Sequence, residues 1–237
     1  MFYRDKIYGQ YTTIMQRHSH YVDITTADAL YKVHFRRWLP EDKHVAILDA
    51  GCGTGQLLHF FLKQGYTNIT GLDISPEQVE YARKIHPNVI IGNALEFLQN
   101  HPGQFDVITG LDIIEHLHKD EAIKFLEFAY RALRFNGRLI LQTPNADTPF
   151  GLTLRYGDFT HEHCFIVEDL ARLMRWVGFK EIEPRETAIV PHGLSSLLRW
   201  CLWRVLRWTF IVFNMVETGS PGSGIYTRVF IIKGLKS

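Results

Sequence analysis

From residue 45 onward, short apolar runs alternate with stretches in which apolar residues recur every three or four positions. A short apolar run predicts a buried strand, and the longer spacing predicts an amphipathic helix. The predicted strands in the first part of this pattern cover residues 45–49, 68–72, 89–91, 105–111 and 138–143. Strands that alternate with helices favour a parallel sheet covered on both faces.

The residues that follow the predicted strands carry the chemistry, since such sheets bind ligands beyond the carboxyl ends of their strands. Strand one runs into Gly51, Gly53 and Gly55, and Asp49 lies two residues before the first glycine. Glycines at this spacing allow a tight turn and let backbone N–H groups approach a ligand. A dinucleotide site prefers GxGxxG, whereas the sixth position here is Gln56, which argues against a dinucleotide-binding oxidoreductase.

The next strands also end in polar groups. Asp73 follows strand two, where a carboxylate can accept hydrogen bonds from both hydroxyls of an adenosine ribose. Asn93 follows strand three, where an amide could read the edge of an adenine, and Leu111 ends strand four. These positions predict an adenosine-containing ligand at this edge of the sheet.

Five segments resemble the successive motifs of class I S-adenosylmethionine-dependent methyltransferases: LDAGCGTG (48–55), GLDIS (71–75), GNALEF (92–97), FDVITGLDIIEHL (105–117) and RALRFNGRLILQTPN (131–145). The resemblance spans roughly residues 45–190 and implies S-adenosyl-L-methionine as the cofactor. The cofactor-binding residues that it implies are Asp49, Gly51, Gly53, Gly55, Asp73, Ile74, Asn93, Ala94 and Leu111. Many members carry Asp at position 93, and the carbonyl of Asn93 can still accept a hydrogen bond from the adenine amino group.

The resemblance also implies the architecture. We expect a Rossmann-like, doubly wound seven-stranded sheet, with two further strands at 180–190 and 226–232. Residues 1–44 are expected to form a helical lid, with Tyr11 and Tyr21 as its contacts. Residues 45–191 form the predicted cofactor-binding core, 192–224 a helical insertion before the last strand, and 225–237 the closing strand.

Two histidine clusters compete for the methyl-acceptor side. The first is the run from Asp112 to His116, which resembles an acidic–x–x–Glu–His run in ubiquinone-biosynthesis O-methyltransferases. One interpretation of that resemblance is a site for a divalent metal. Alternatively, Asp112 and Glu115 cap the following helix and His116 is merely packed. We favour the reading without a metal, and keep His116 as a candidate catalytic residue.

The second cluster lies in the long loop after strand five, where His161 and His163 are two residues apart and would point to opposite sides of an extended chain. The segment resembles one found in methyltransferases of quinones, sugars and cell-envelope glycans. At most one of the pair is expected to reach the transferred methyl, and His161 is weakly preferred as a general base. The alternative is that both hold the loop shut.

The C-terminal region differs in charge from the rest. The net charge of the chain is +1, but residues 192–237 hold four Arg, two Lys and Glu217 as the only acid. In the predicted helix at 194–216, Arg199, Arg204 and Arg207 fall in one sector with two tryptophans, and leucines fill the remainder. The predictions are a helix lying in a membrane surface, or a cover for the cleft or a homodimer contact. The three arginines argue against a membrane span.

Composition narrows the function further. Three cysteines without a CxxC pair disfavour disulfides and a zinc site, and the chain is expected in the cytoplasm, with peripheral membrane contact as an option. The acidic first 191 residues disfavour nucleic acid. We predict methyl transfer to a small-molecule acceptor, most readily a hydroxyl that is quinone-like, lipid-linked or part of a sugar. The alternatives are N-methylation of a sugar or amine, and a non-catalytic cofactor-binding protein.

Overall fold

The computed structural model describes residues 3–14, 24–187 and 189–237. It contains one seven-stranded sheet in the order β3-β2-β1-β4-β5-β7-β6. The strands are β1 (Ile47–Ala50), β2 (Ile69–Asp73), β3 (Val89–Ile91), β4 (Phe105–Leu111), β5 (Leu133–Pro144), β6 (Lys180–Glu186) and β7 (Val229–Leu235). Strands β1 to β5 pair in parallel, whereas β7 lies antiparallel between β5 and β6. The predicted doubly wound seven-stranded α/β fold is therefore confirmed.

Helices cover both faces of this sheet. Those of the sheet region are α4 (Gln56–Lys63), α5 (Pro76–Arg83), α6 (Ala94–Asn100), α7 (Lys119–Ala132), α8 (Gly151–Tyr156) and α9 (Val167–Val177). Preceding them are α1 (Tyr3–Gly9), α2 (Tyr11–Ile14) and α3 (Ile24–His34), and α10 (Leu194–Thr218) lies between β6 and β7.

The core is divided by the sheet, because successive strand residues point to opposite faces. On β1, Leu48 belongs to a buried cluster with residues of α6, α7 and α9 such as Phe125, whereas Ile47 belongs to a second cluster that includes Leu58 of α4 and Val79 of α5. Both clusters are nearly free of solvent, and burial of a side chain of this size contributes about 1.5–3 kcal/mol. This packing holds the strand ends in place at the edge of the sheet.

Several predicted boundaries shift. The fifth strand, predicted at 138–143, begins already at Leu133, which pairs with Phe105, and α7 ends at Ala132. Asn136 has a positive φ of 62°, which is not a helical conformation. Its N–H donates to the carbonyl of Lys236, near the C-terminus. Strand β6 ends at Glu186 rather than residue 190, and β7 begins at Val229 rather than residue 226. Pairing of Glu186 with Phe230 sets the end of β6, and pairing of Val229 with Pro144 of β5 sets the start of β7.

Candidate cofactor and acceptor site

The glycine turn after β1 has the conformation that its sequence predicts. Gly51, Gly53 and Gly55 have φ values of 74°, 54° and 89°, in the left-handed region where a side chain would be strained. A Cβ added at Gly55 would also lie 3.1 Å from the Cα of Ala82 in α5. The turn therefore needs glycine both for its dihedral angles and for its close packing against a helix.

Two carboxylates flank this turn. Asp49 is 2% exposed, and its Oδ1 accepts a hydrogen bond of 2.8 Å from the Thr109 hydroxyl. Burial raises the pKa of Asp49 to about 7, although the Thr109 hydroxyl opposes the shift. Asp73 accepts hydrogen bonds of 2.8 Å from the backbone N–H groups of Gly53 and Ser75, and burial raises its pKa as well. Asp73 therefore holds the turn and the start of the next helix together.

Asn93 has a local role that sequence reasoning missed. Its side-chain oxygen accepts hydrogen bonds from the N–H groups of Leu95 (2.8 Å) and Glu96 (3.4 Å), so it caps α6. The oxygen expected to read the adenine is thus already engaged with two donors. The cap orients the residue at the cavity edge, beside Ala94.

A cavity of about 340 Å³ lies beyond these strand ends, a size typical of small-molecule sites. Of the predicted cofactor-binding residues, its walls include Asp49, Gly51, Gly53, Asp73, Ile74, Asn93, Ala94 and Leu111. Gly55 instead packs behind the turn. The glycine cradle, the buried carboxylates and the apolar floor fit an adenosine carrying a charged amino-acid tail.

The N-terminal helices form the opposite wall. Tyr11, a predicted lid contact, lines the cavity and is 7% exposed, together with Arg4, Tyr8 and Tyr31. Tyr21, the other predicted contact, lies outside the described residues. Tyr31 was missed among the many aromatics of the first 44 residues, and burial raises its pKa. The abundance of aromatics in this segment was the signal that could have found it.

His116 is the predicted histidine that lines the cavity. Its Nδ1 lies 2.9 Å from the Thr160 hydroxyl oxygen and 3.3 Å from the Thr160 carbonyl oxygen. The rings of Tyr8 and Tyr11 meet its imidazole edge-on, each at a centroid distance of 6.4 Å. The side chain is therefore held between the lid and the loop after β5.

The other two predicted histidines have different surroundings. The ring of His161 lies 4.8 Å from that of His116, and its Nδ1 is 2.8 Å from the Leu154 carbonyl oxygen. The ring of His163 packs edge-on against Phe165, and burial, helped by Lys119, lowers its pKa. His161 thus lies beside the candidate base, whereas the contacts of His163 belong to the packing of the loop.

Glu115 does not cap the following helix. It is fully buried, its Oε2 accepts a hydrogen bond of 3.1 Å from the Thr143 hydroxyl, and its backbone carbonyl accepts from the N–H groups of Glu162 and His163. Helix α7 is capped instead by Glu121, which accepts from the His118 N–H at 2.8 Å. Burial, reinforced by Asp112, raises the pKa of Glu115 well above its ordinary value. Glu115 therefore anchors the acceptor-side loop to the sheet.

One group of side chains in the described part of the chain has the composition of a metal site. Glu115, His116 and His161 each offer a ligand atom, and these atoms lie within 4.8 Å of one another. A carboxylate with two imidazoles suits several divalent metals. The expectation that no metal is used stays a prediction.

Comparison with known proteins gives the class. Residues 20–183 match the family described as methyltransferase domain. The structure is similar to a SAM-dependent methyltransferase from Archaeoglobus fulgidus (TM-score 0.66, 20% identity, 88% of this chain and 94% of that one). It is also similar to a possible histamine N-methyltransferase from Thermotoga maritima (TM-score 0.67, 21% identity, 98% and 99% coverage). The chain belongs to the methyltransferase-domain family, and its cofactor is S-adenosyl-L-methionine.

Curated relatives carry a more specific name. The chain is 32% identical over 105 residues to the mitochondrial ubiquinone biosynthesis O-methyltransferase of Schizosaccharomyces pombe, covering 41% of this chain and 37% of that protein. It is 26% identical over 157 residues to the ubiquinone biosynthesis O-methyltransferase of Dechloromonas aromatica, covering 59% and 65%. The chain thus spans about a third to two thirds of the length of these two relatives.

Proposed function

We propose that this protein transfers a methyl group from S-adenosyl-L-methionine to a hydroxyl oxygen of a small molecule that is quinone-like, lipid-linked or a sugar. The observation that carries the proposal is the position of His116, an imidazole on the cavity wall between the lid and the loop after β5. The name of these relatives, ubiquinone biosynthesis O-methyltransferase, supports an oxygen acceptor.

The cofactor-side residues account for binding and alignment. Asp49, Gly51 and Gly53 would hold the charged methionine end, and Asp73 would accept hydrogen bonds from the ribose. The cofactor supplies a sulfonium methyl that is already activated when bound. The protein therefore has to align a nucleophile with that methyl and exclude water, and Tyr8 and Tyr11, which line the cavity on the lid side, would contribute to both.

On the acceptor side, His116 is the residue positioned to take part in the reaction. The Thr160 carbonyl oxygen beside its Nδ1 can only accept a hydrogen bond, so Nδ1 carries the proton of the neutral ring. The lone pair then resides on Nε2, which can remove the proton from an acceptor hydroxyl as the oxygen attacks the methyl. His116 thus acts as the general base, and His161 packs against it.

Replacement of each histidine tests the proposal. A panel of catechols, hydroxyquinone precursors and sugars first identifies a methylated oxygen. His116→Ala should then lower kcat by about 100-fold or more, the usual contribution of a general base, and leave the cofactor Kd unchanged. His163→Ala, a histidine of the loop after β5 that packs against Phe165, is the control and should keep kcat within about threefold. Unchanged turnover of His116→Ala at saturating acceptor would remove the general base from the proposal.

A second candidate function is N-methylation. A structural neighbour is described as a possible histamine N-methyltransferase, and the tyrosine-lined wall suits a cationic acceptor through its ring faces. The same panel therefore includes primary and secondary amines. Methylation of amines alone would replace the oxygen proposal, and cofactor binding without turnover on any acceptor would favour the non-catalytic alternative.

The second part of the proposal concerns helix α10 and the surface that it contacts. Its inner face packs on the protein: Trp203 Nε1 donates to Glu186 at 3.4 Å, and Arg207 Nε donates to the Gly224 carbonyl at 2.6 Å. The predicted basic-and-tryptophan face is therefore divided. Trp203 and Arg207 pack on the protein, whereas Arg199 and Arg204 are exposed. The outward face is apolar, with Leu198, Val205, Phe213 and Val216 each at least 60% exposed.

The borders of this outward face are cationic. With about 100° per residue, Arg199 and Arg204 lie on either side of the exposed apolar stripe, and both are exposed. Among the described helices none is long and apolar enough to cross a membrane. An apolar stripe with arginine borders and a single acid, Glu217, complements an anionic lipid surface. We propose that α10 lies on such a surface and brings the cleft to lipid-soluble acceptors.

Vesicle co-sedimentation tests the role of α10. Binding to phosphatidylglycerol-containing vesicles should fall at least tenfold in the double variant Leu198→Glu, Val205→Glu, since each loses an apolar anchor. Arg199→Gln and Arg204→Gln should each weaken binding about fivefold. Phe135→Glu, an exposed residue of the β4–β5 side at 74% exposure, is the control. A dimer in sedimentation velocity, together with no vesicle binding, would assign the face to a second copy of the chain.

A further inference from the structure

A chain of hydrogen bonds reaches His116 from behind. It begins at Asp158 and passes through Thr160, two residues of the loop after β5 that are 8% and 1% exposed. The Thr160 hydroxyl donates to Asp158 Oδ1 at 2.6 Å, and the Thr160 backbone N–H donates to the same oxygen at 2.9 Å. The chain thus consists of a buried carboxylate, a hydroxyl and an imidazole.

The direction of each hydrogen bond follows from counting protons. A hydroxyl has one proton, and the 2.6 Å contact with Asp158 takes that of Thr160. The Thr160 oxygen can then only accept at its 2.9 Å contact with His116 Nδ1. The Thr160 carbonyl, 3.3 Å from Nδ1, is also an acceptor. Two acceptors at one ring nitrogen define the Nδ1–H tautomer of His116.

The lid joins the same chain. The Tyr11 hydroxyl donates to the other carboxylate oxygen of Asp158, Oδ2, at 2.9 Å across 147 positions of sequence. Arg4 Nη2 donates to the backbone carbonyl of His116 at 2.8 Å and Nη1 forms an ion pair with Glu121. The position of the lid and the orientation of the imidazole are therefore coupled through Asp158.

We propose that Asp158 and Thr160 are positioning residues that hold His116 in its Nδ1–H tautomer with Nε2 as the base, and that Tyr11 links the lid to this pair. The catalytic consequence rests on the proposed function, whereas the tautomer does not. Polar side chains from three segments surround the imidazole of His116. They are Tyr8 and Tyr11 of the lid, Asp158, Thr160 and His161 of the loop after β5, and the neighbouring Glu115.

Nitrogen NMR of the full-length protein tests the tautomer directly. In protein with ¹⁵N-labelled histidine, the His116 signals are identified by their loss in His116→Ala, and the long-range pattern reports which ring nitrogen carries the proton. We expect Nδ1–H in the wild type and a mixture of tautomers in Thr160→Val, in which only the carbonyl acceptor remains. A wild-type ring protonated on Nε2, or an unchanged Nδ1–H ring in Thr160→Val, would overturn the proposal.

Kinetics separate positioning from structure. Thr160→Val should lower kcat by about tenfold, the value of one hydrogen bond, with the acceptor KM and cofactor Kd unchanged. Asp158→Asn should lower kcat by a similar factor, and Thr160→Ser, which keeps the hydroxyl, should recover most of it. Thr187→Val removes another partly buried hydroxyl, which donates to the Val229 carbonyl at 2.8 Å, and controls for general loss of stability.

The two sets of outcomes remain distinct. If no acceptor is methylated, the proposed function fails, yet the tautomer is still decided by the NMR experiment. If Thr160→Ser has the same low kcat as Thr160→Val, or if Thr187→Val lowers kcat equally, the positioning role is wrong.

Discussion

The two walls of the cavity are built in different ways. We call the side with Asp49, Gly53 and Asp73 the cofactor wall and the side with Tyr11 and His116 the acceptor wall. On the cofactor wall, Asp73 and Gly53 are joined by a hydrogen bond between residues 20 positions apart, and the remaining groups follow directly from strand ends. On the acceptor wall, the bond between Tyr11 and Asp158 spans 147 positions. The cofactor wall is therefore set by the sheet and its turns, whereas on the acceptor wall the tyrosines of the lid are held by a contact with the loop after β5.

The largest effect is expected on the cofactor wall. Asp73→Ala removes the carboxylate that anchors the glycine turn and would accept from the ribose, so the cofactor Kd should rise on the order of 100-fold. Calorimetric titration with S-adenosylhomocysteine, the demethylated form of the cofactor, measures this Kd. Asp106→Ala, which removes a carboxylate that accepts from the Ala46 N–H at the start of β4, is the matched control and should change Kd little. An equal Kd for Asp73→Ala and wild type would show that this wall has been misassigned.

An intermediate effect is expected from pH. The pKa of Asp49 is about 7 because of burial, and a cofactor ammonium group would bind its ionised form. Binding should therefore be constant above about pH 8 and weaken as pH falls through 7, approaching tenfold per pH unit. Calorimetry between pH 5.5 and about 8.5 checks this.

The variant Asp49→Asn provides the comparison for that pH series. It should bind the cofactor weakly and show a nearly flat pH dependence over the same range. The pH dependence of the stability of the apoprotein has the opposite sign. The pKa of Asp49 is about 4 in the unfolded chain and about 7 in the folded protein, so the free energy of unfolding decreases as pH rises from about 4 to about 7. Asp49→Asn should therefore raise the melting temperature most above pH 7. A wild-type Kd that does not vary with pH would contradict the role of Asp49.

The smallest effect is expected at the contact of Arg4, on the first helix of the lid, with the segment that carries His116. Arg4→Ala removes a partly exposed ion pair of 2.7 Å with Glu121 and a hydrogen bond to the His116 carbonyl. Pairs of this exposure contribute about 1 kcal/mol or less, so the acceptor KM should rise about two- to fivefold. Lys6→Ala, an exposed cation on the same helix, is the control. A change in cofactor Kd without a change in KM would assign Arg4 to the other wall.

The cofactor wall could be predicted from the sequence because its geometry is local. A left-handed turn demands glycine, and a carboxylate two residues before it or at the next strand end reaches the same edge of a parallel sheet. Even there, the amide of Asn93 was assigned to the ligand, while in the structure its oxygen caps α6. When a side chain can either cap a helix or bind a ligand, the sequence pattern alone does not show which of the two it does.

The acceptor wall was only partly predictable. His116, His161 and His163 were named as candidates, but sequence weakly preferred His161, and nothing in the pattern indicated that Thr160 lies at His116 Nδ1. The helix α10 shows the same limit. Its two faces could be drawn from the spacing of arginines and leucines, but the contacts of Trp203 and Arg207 with Glu186 of the edge strand β6 decide which face is exposed.

The sequence by itself determined the sheet and the glycine turn, because short-range backbone conformation and the period of apolar residues define them. The class of cofactor followed from the resemblance of the five motifs at the strand ends to a known family. The tertiary structure decided which histidine lies in the cavity, that Glu115 is a buried anchor and not a helix cap, and which side of α10 faces outward. Those outcomes depend on contacts between different segments of the chain, which lie 28 positions apart for Thr143 and Glu115 and 44 for Thr160 and His116. The contact of α10 with Glu186 through Trp203 spans 17 positions. Such contacts arise only when the core has formed.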